Sequence, residues 1–381
     1  MKSTTRVQLS VMMFLEFFIW GGWFVTLGTF LGANLQANGS QIANIYSTQS
    51  WGAIIAPFII GMIADKFFAA QKILGVLHLA GAGLLYYITT QTTFGSFYSL
   101  LLIYMIIYMP TLALVNAIAL KQVTSAEKQF SGLRMWGTIG WIVAGAIIQW
   151  MAWENNPESL SITYKVAAAT SALFGVYSFF LPNTPPPKAG QKVSISEVLG
   201  LDALKILKDK NYLIFFIASI LICIPLAFYY GQANLFLNES GMVGAAGKMT
   251  LGQVAETVFL FLMPFFFKRF GVKQMLLIGM FAWVLRYLLF SYGDMNSGLW
   301  MLYFGIILHG ICYDFFFVSG QIYTNSKAGE KYKSAAQGLI TLATYGIGML
   351  IGFEIAGKIT DAYKLADKDF DYKMIWLIPS G

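Results

Sequence analysis

The chain has 381 residues, 57% of them hydrophobic and only 11% charged, with a mean hydropathy of +0.64. A soluble domain carries about 25% charged residues, so this balance excludes a soluble enzyme and requires repeated membrane spans. The net charge of +7 sits mostly in connectors beside apolar runs, where membrane orientation accounts for it; no nucleic-acid partner is expected.

A membrane-spanning helix takes roughly 20 residues. Met1 to Ser10 leads directly into an apolar run with no small-residue cleavage pattern, so that run reads as the first span and not as a signal peptide. Runs of spanning length fall near 8–32, 42–64, 71–91, 97–120, 132–152 and 163–181, then near 211–237, 250–267, 272–292, 299–324 and 334–357. A twelfth begins at Met374-Ile-Trp-Leu-Ile-Pro-Ser-Gly381 and stops, so most of a last helix is expected to be missing from this chain. The expected fold is an all-α polytopic membrane protein. Its parts are a six-helix bundle over 1–181, a linker over 182–210 and a second bundle over 211–381. The linker opens with Pro182-Asn-Thr-Pro-Pro-Pro-Lys188, which cannot continue a helix because proline lacks the N–H and clashes with the preceding turn. Ser194 to Lys210 mixes apolar and charged residues at helical spacing and predicts an amphipathic surface helix.

Seventeen of the 25 Lys and Arg fall at the amino terminus, in the linker and in every second connector, and only six in the alternate connectors. The positive-inside tendency therefore places the amino terminus and linker in the cytoplasm. Two of the basic connectors echo one another: Gly61-Met-Ile-Ala-Asp65-Lys66-Phe-Phe-Ala-Ala-Gln-Lys72 and Pro264-Phe-Phe-Phe-Lys268-Arg269-Phe-Gly271-Val-Lys273. They hold the same ordinal position in each half, the mark of parallel repeats in secondary transporters. Gly61, Asp65 and Lys66 are expected to act as a conformational gate, with Asp65 capping or pairing with a neighbouring helix end.

Ionisable residues inside the apolar runs are costly in hydrocarbon and stand as functional candidates. In the first run Glu16 shares a face with Trp20 and Trp23, as a second proton site or a partner for Arg134. In the fifth, Arg134, Thr138 and Trp141 follow at intervals of four and three, one helix face. They suit substrate lining with a charge, a hydroxyl and a stacking ring; the competing reading has Arg134 snorkelling to the interface. The seventh run supplies Tyr229, Tyr230, Gln232 and Asn234 downstream of Pro225, which kinks the helix. In the eighth, Gln253 and Glu256 share a face, and Glu256 is read as a proton carrier, a ligand for a substrate hydroxyl or a structural pair. The tenth carries His309, Tyr313 and Asp314, with Asp314 the stronger functional candidate and His309 balanced between packing and pocket. Arg286 and Glu354 read as pairing groups between helices. Cys223 and Cys312 read as small core residues.

Amides, hydroxyls, carboxylates and rings between two bundles suit a neutral polyhydroxylated ligand with a flat part. A nucleoside fits this inventory, and a sugar fits it almost as well. With no nucleophile–base or metal-ligand cluster, an enzyme is not expected.

The chain resembles the major facilitator superfamily and, within it, the bacterial nucleoside:proton symporters. The Gly61 to Lys72 turn is similar to the superfamily signature, although Phe67 and Phe68 depart from its usual ending. More specific are Leu133-Arg-Met-Trp-Gly-Thr-Ile-Gly-Trp141 and His309-Gly-Ile-Cys-Tyr-Asp-Phe-Phe-Phe-Val-Ser-Gly320. The resemblance implies that Arg134, Thr138, Trp141, Gln253, Glu256, Tyr313 and Asp314 line a nucleoside site, with His309 close by and Gln232 and Asn234 as local amide candidates. It implies proton-driven import of nucleosides such as uridine or adenosine across a bacterial inner membrane by a monomer in lipid, with no cofactor. Glu256, Asp314 and Glu16 are then the candidates for proton coupling. The rivals are a sugar:proton symporter of the same fold and a membrane receptor that binds without turnover.

Overall fold

The computed structural model describes residues 2–59, 67–123, 126–186, 201–365 and 370–381. Among them the regular structure is helical, joined by short turns and connectors, with one isolated bridge between Lys364 and Phe370. The first half comprises α1 (Ser3–Phe24), α2 (Leu27–Leu35), α3 (Gly39–Ile59), α4 (Ala70–Ile88), α5 (Phe94–Gln122), α6 (Ala126–Trp150) and α7 (Pro157–Ser178). The second half comprises α8 (Lys210–Leu221), α9 (Cys223–Glu239), α10 (Ala245–Tyr292), α11 (Leu299–Ile307), α12 (His309–Tyr313), α13 (Ser319–Thr341), α14 (Met349–Ala362) and α15 (Tyr372–Leu377). Among the described residues six stretches meet the length and hydropathy of a membrane span: Ser3–Leu35, Phe94–Gln122, Lys210–Glu239, Ala245–Tyr292, Leu299–Ala328 and Ala336–Ala362. The 48-residue α10 is two spans joined at Gly271, whose φ of 68° and ψ of 171° interrupt the helix in a region reserved for glycine. The break falls inside the basic connector expected there.

The first span of each half is broken near its middle. α1 gives way to α2 at Val25–Thr26, where the Thr26 hydroxyl donates to the Trp23 carbonyl at 3.2 Å. α8 gives way to α9 at Ile222, three residues ahead of Pro225, whose missing N–H leaves one helical bond unmade. The Tyr287 hydroxyl takes up the Pro225 carbonyl. Beyond their breaks the two spans approach closely, with the Gly231 carbonyl 3.0 Å from the place a Gly28 side chain would occupy. Small residues permit such contacts where lipid provides no hydrophobic drive between helices.

Within the first half α1 packs on α6 and α7, α3 on α5, and α4 on α5 and α7. Within the second, α10 packs on α11 and α12, and α9 on α14. Between the halves α3 lies against α14, α6 against α10 and α2 against α9. Leu201–Lys208, the described part of the expected amphipathic helix, forms a short 3₁₀ segment. Its Ala203 packs with Ala328, Ala336 and Leu339 at the end of the second half. Residues 194–200 lie outside the described residues, as do Gly61, Asp65 and Lys66.

Candidate functional site

A cavity lies between the halves. Phe24, Val25, Trp141 and Gly145 line it from one side, and Tyr229, Tyr230, Ala246, Met249, Thr250 and Gln253 from the other. Its wall is aromatic because α1 and α6 present rings to the same space. Trp20 meets Trp141 at 5.6 Å between centroids, and Phe24 meets Trp141 at 6.4 Å and Tyr230 at 5.7 Å. Helix packing holds Trp141 in place, its ring atoms lying 3.1 Å from where a side chain on Gly21 would stand. The cavity's free volume is about 30 Å³, room for about two or three waters at roughly 10–15 Å³ each. A ring system enters this part of the cavity only when side chains or the halves themselves move.

Toward the amino-terminal end of α6, Arg134 rests its guanidinium 3.9 Å over the Phe17 ring. Its field is shared with Glu256, Tyr313 and Tyr345 across the divide. Arg134 and Glu256 attract one another without a direct ion pair. The hydroxyls of Tyr313 and Tyr345 are hydrogen-bonded to each other. Thr138 is half-buried on the same face of α6. Asp314 is fully enclosed at the start of a π-helical turn, Asp314–Val318, and neither carboxylate oxygen has a hydrogen-bond donor among the described residues. Its carboxylate feels the charge of Glu256. Tyr345 lies in a second π turn, Leu342–Gly348. Such turns add a residue to the helical repeat and are frequent at functional sites.

Arg134, Glu256, Tyr313 and Asp314 thus share one electrostatic neighbourhood, with Trp141 and Gln253 in the adjoining cavity wall. Gln232 is buried with both amide atoms unpartnered among the described residues. Asn234 is engaged elsewhere, accepting from the Thr29 hydroxyl at 2.7 Å and donating to Glu154 Oε1 at 2.9 Å. His309 stacks on Tyr229 at 5.1 Å and 25°, and its Nδ1 lies 3.0 Å from Arg286 Nη1. Arg286 pairs with that imidazole and with aromatic faces. Glu354 is exposed and meets Lys358 of its own helix at 2.8 Å, so it joins no second helix.

Glu16 makes its hydrogen bonds to other helices of the first half and no ion pair with Arg134, although Arg134 feels its charge. Glu16 Oε1 accepts from the Thr111 hydroxyl at 2.7 Å, and its Oε2 lies 2.9 Å from His78 Nε2. His78 Nδ1 is 3.1 Å from the Ser171 hydroxyl. Trp20 and Trp23 part company as well. Trp20 reaches Trp141, whereas Trp23 is buried against Tyr104 and Tyr164.

Sequence reasoning missed Tyr345, Glu154 and Asp361. Glu154 follows the fifth span and accepts from Asn234 Nδ2, Asn238 Nδ2 and the Ala246 N–H, all at 2.9 Å. Asp361, at the end of the eleventh span, accepts the N–H groups of Gly39 at 2.6 Å and Ser40 at 2.9 Å. Each carboxylate therefore caps the helix N-terminus that opens the second span of the opposite half. The arrangement repeats across the pseudo-symmetry, at the end of the molecule away from the amino terminus. The signal available in the sequence was weak: a single acid in a short connector usually caps its own helix.

The family profile described as Nucleoside H+ symporter matches residues 1–381. The chain is 46% identical to the putative nucleoside transporter YegT of Escherichia coli, over 94% of this chain and 85% of that protein. It is 32% identical to the nucleoside permease NupG of the same organism, covering 99% and 92% respectively. The crystal structure of NupG superposes with a TM-score of 0.88 at 30% identity, covering 99% of this chain and 95% of that one.

Proposed function

Because the chain belongs to the nucleoside:H+ symporter family, a set of multi-pass membrane transporters with the major facilitator fold, we propose that it imports nucleosides with protons through the cavity between its halves. What supports the site assignment is that Arg134, from the first half, lies within electrostatic reach of Glu256 and the hydrogen-bonded Tyr313–Tyr345 pair of the second, with the Trp141 wall on the same α6 face. In this reading the base stacks on Trp141 and Tyr230, and Gln253 and Thr138 supply amide and hydroxyl contacts. Ribose hydroxyls meet Glu256 and Arg134. Gln232, with both amide atoms free of partners among the described residues, turns toward the ligand when the helices rearrange. Uridine and adenosine are the representative substrates, and the monomer in a bacterial inner membrane is the working unit. The amino terminus is cytoplasmic, so the Glu154 and Asp361 contacts close the outward end.

The proton occupies Glu256 or Asp314. A buried carboxylate without a donor is costly unless it is protonated, and Asp314 has none among the described residues. Protonation from outside favours nucleoside binding, and loss of the proton to the cytoplasm weakens it. Rocking of the halves then exposes the site to each side in turn.

The deciding measurement is uptake of labelled uridine by proteoliposomes under an imposed pH gradient. Accumulation is expected to collapse with a protonophore and to be competed by unlabelled nucleosides but not by sugars. Glu256→Gln or Asp314→Asn is expected to abolish accumulation while sparing exchange of internal for external uridine. Competition by sugars alone would overturn the substrate class. Gradient-driven accumulation by both variants would remove both carboxylates from the coupling step.

A further inference from the structure

We propose that Arg286 is a positioning residue for substrate recognition: its guanidinium holds His309 as the neutral tautomer with the proton on Nε2, making His309 a fixed hydrogen-bond donor that takes up no transported proton. The substrate part of this inference rests on the nucleoside reading above; the tautomer does not.

Arg286 is fully buried in the ninth span, and among the described residues no carboxylate pairs with it. Aromatic faces surround the cation instead: Tyr229 at 3.6 Å from the guanidinium carbon, Trp283 at 5.3 Å and Phe290 at 5.6 Å. Nε and Nη2 have no hydrogen-bond partner there. The hydrogen bond to the imidazole runs from Nη1 to His309 Nδ1, at 3.0 Å, with the Tyr229 hydroxyl and the Cys312 thiol also beside the guanidinium. A guanidinium has donors only, so Nδ1 must be the acceptor and the imidazole proton must be on Nε2. A second proton on Nδ1 would remove this bond and set an imidazolium against a guanidinium. The other groups facing His309 are Tyr229, stacked from α9, and Tyr313 on its own helix, with Cys312 beside Arg286. None of these is a carboxylate that would stabilise two cations.

The function of the lock follows from its place. His309 stacks on Tyr229, which lines the cavity, and its Nε2 donates to no group among the described residues. Uncharged, it suits an acceptor atom of a neutral ligand, such as a base carbonyl or a ribose oxygen. A free imidazole would interchange its tautomers and titrate near neutral pH. Arg286 removes both behaviours without touching the ligand.

The chain contains only two histidines, so nitrogen magnetic resonance on histidine-labelled protein in lipid resolves the question. Comparison with His309→Gln assigns the signals, since His78 remains in that variant. The expected wild-type spectrum, without ligand and between about pH 5.5 and 7.5, is a neutral His309 with Nε2 protonated and Nδ1 bare. Uridine is expected to shift the Nε2 signal. Arg286→Met is expected to give mixed tautomers that titrate across that range, and to raise the uptake KM for uridine about tenfold, the scale of one lost hydrogen bond. Arg286→Lys keeps a donor to Nδ1 and is expected to retain the tautomer, with a smaller rise in KM. An Nδ1-protonated or charged His309 in the wild type overturns the proposal even if no Arg286 variant folds. So does an Arg286→Met protein that frees the tautomer and leaves KM unchanged. A wild type with the expected tautomer that neither binds nor transports nucleosides overturns the functional reading and the substrate role of His309, while leaving the tautomer lock standing.

Discussion

At the scale of single residues, the ionisable groups inside the spans divide by whether packing gives them a partner. Arg134 and Glu256 attract one another across the divide, and Asp314 is enclosed without a donor among the described residues. Glu16, by contrast, has both oxygens satisfied by Thr111 and His78, which favours a structural task. His78→Leu would leave one buried acceptor without a donor, a loss of about 1–3 kcal/mol, and is expected to lower the melting temperature of the purified protein. Uptake per folded molecule should keep its pH dependence; loss of that dependence would return Glu16 to the coupling site. Base–aromatic stacking contributes about 1–3 kcal/mol, so Trp141→Ala should raise the KM for nucleosides roughly 5- to 100-fold, with Trp141→Phe intermediate. The α6 face of Arg134, Thr138 and Trp141 was legible from spacing alone, because three and four residues return to one side of a helix. The partner of Glu16 was not, because His78 lies on another helix and the pair is made only when α1 and α4 pack.

At the scale of elements, the divide is governed by helix ends and helix breaks. The carboxylates of Glu154 and Asp361 join the halves through hydrogen bonds to N–H groups that a helix N-terminus leaves unpaired. Bonds to a charged acceptor contribute about 1.5–3 kcal/mol each, so losing one charge should raise the population open at that end by an order of magnitude or more. Glu154→Gln and Asp361→Asn are therefore expected to speed labelling of a Val25→Cys protein by an impermeant thiol reagent added outside. Val25 lines the cavity, and native Cys223 and Cys312 are buried, which keeps the background low. Unchanged labelling in both variants would show that the contacts do not hold this end shut. Elsewhere, Gly271→Ala puts a side chain into a backbone region that only glycine adopts readily. It is expected to cost about 1–3 kcal/mol, read as a lower melting temperature. The Gly271 turn and the Pro225 break were readable from residue type. The π turns at Asp314 and Leu342 were not, since nothing in a local apolar pattern distinguishes a π turn from an α-helix.

At the scale of the whole molecule, transport requires the two halves to exchange contacts, and the proton and nucleoside must bias the same exchange. Binding couplings are reciprocal: if protonation strengthens nucleoside binding, nucleoside must strengthen protonation by the same factor. The apparent affinity for uridine is therefore expected to rise as external pH falls, and uridine binding to unbuffered protein should take up protons from solution. Binding without proton uptake at any pH would separate substrate from coupling ion. The excess of Lys and Arg in every second connector further predicts that a cysteine placed at Ser3 is labelled only from the cytoplasmic side.

The amino-acid sequence by itself determined the membrane character, the approximate spans, the two-part plan and the helix face that carries Arg134. These follow from hydrophobicity, periodicity and the chemistry of proline and glycine, all of which act between near neighbours in the chain. Only the tertiary structure decided which charge meets which partner. It turned Glu16 inward to His78, gave Asn234 to Glu154, set Arg286 against His309, and used Glu154 and Asp361 to cap helices of the opposite half. The reason is physical: a buried polar group is satisfied by whatever donor or acceptor packing brings within about 3 Å, and that neighbour comes from helices far away along the chain.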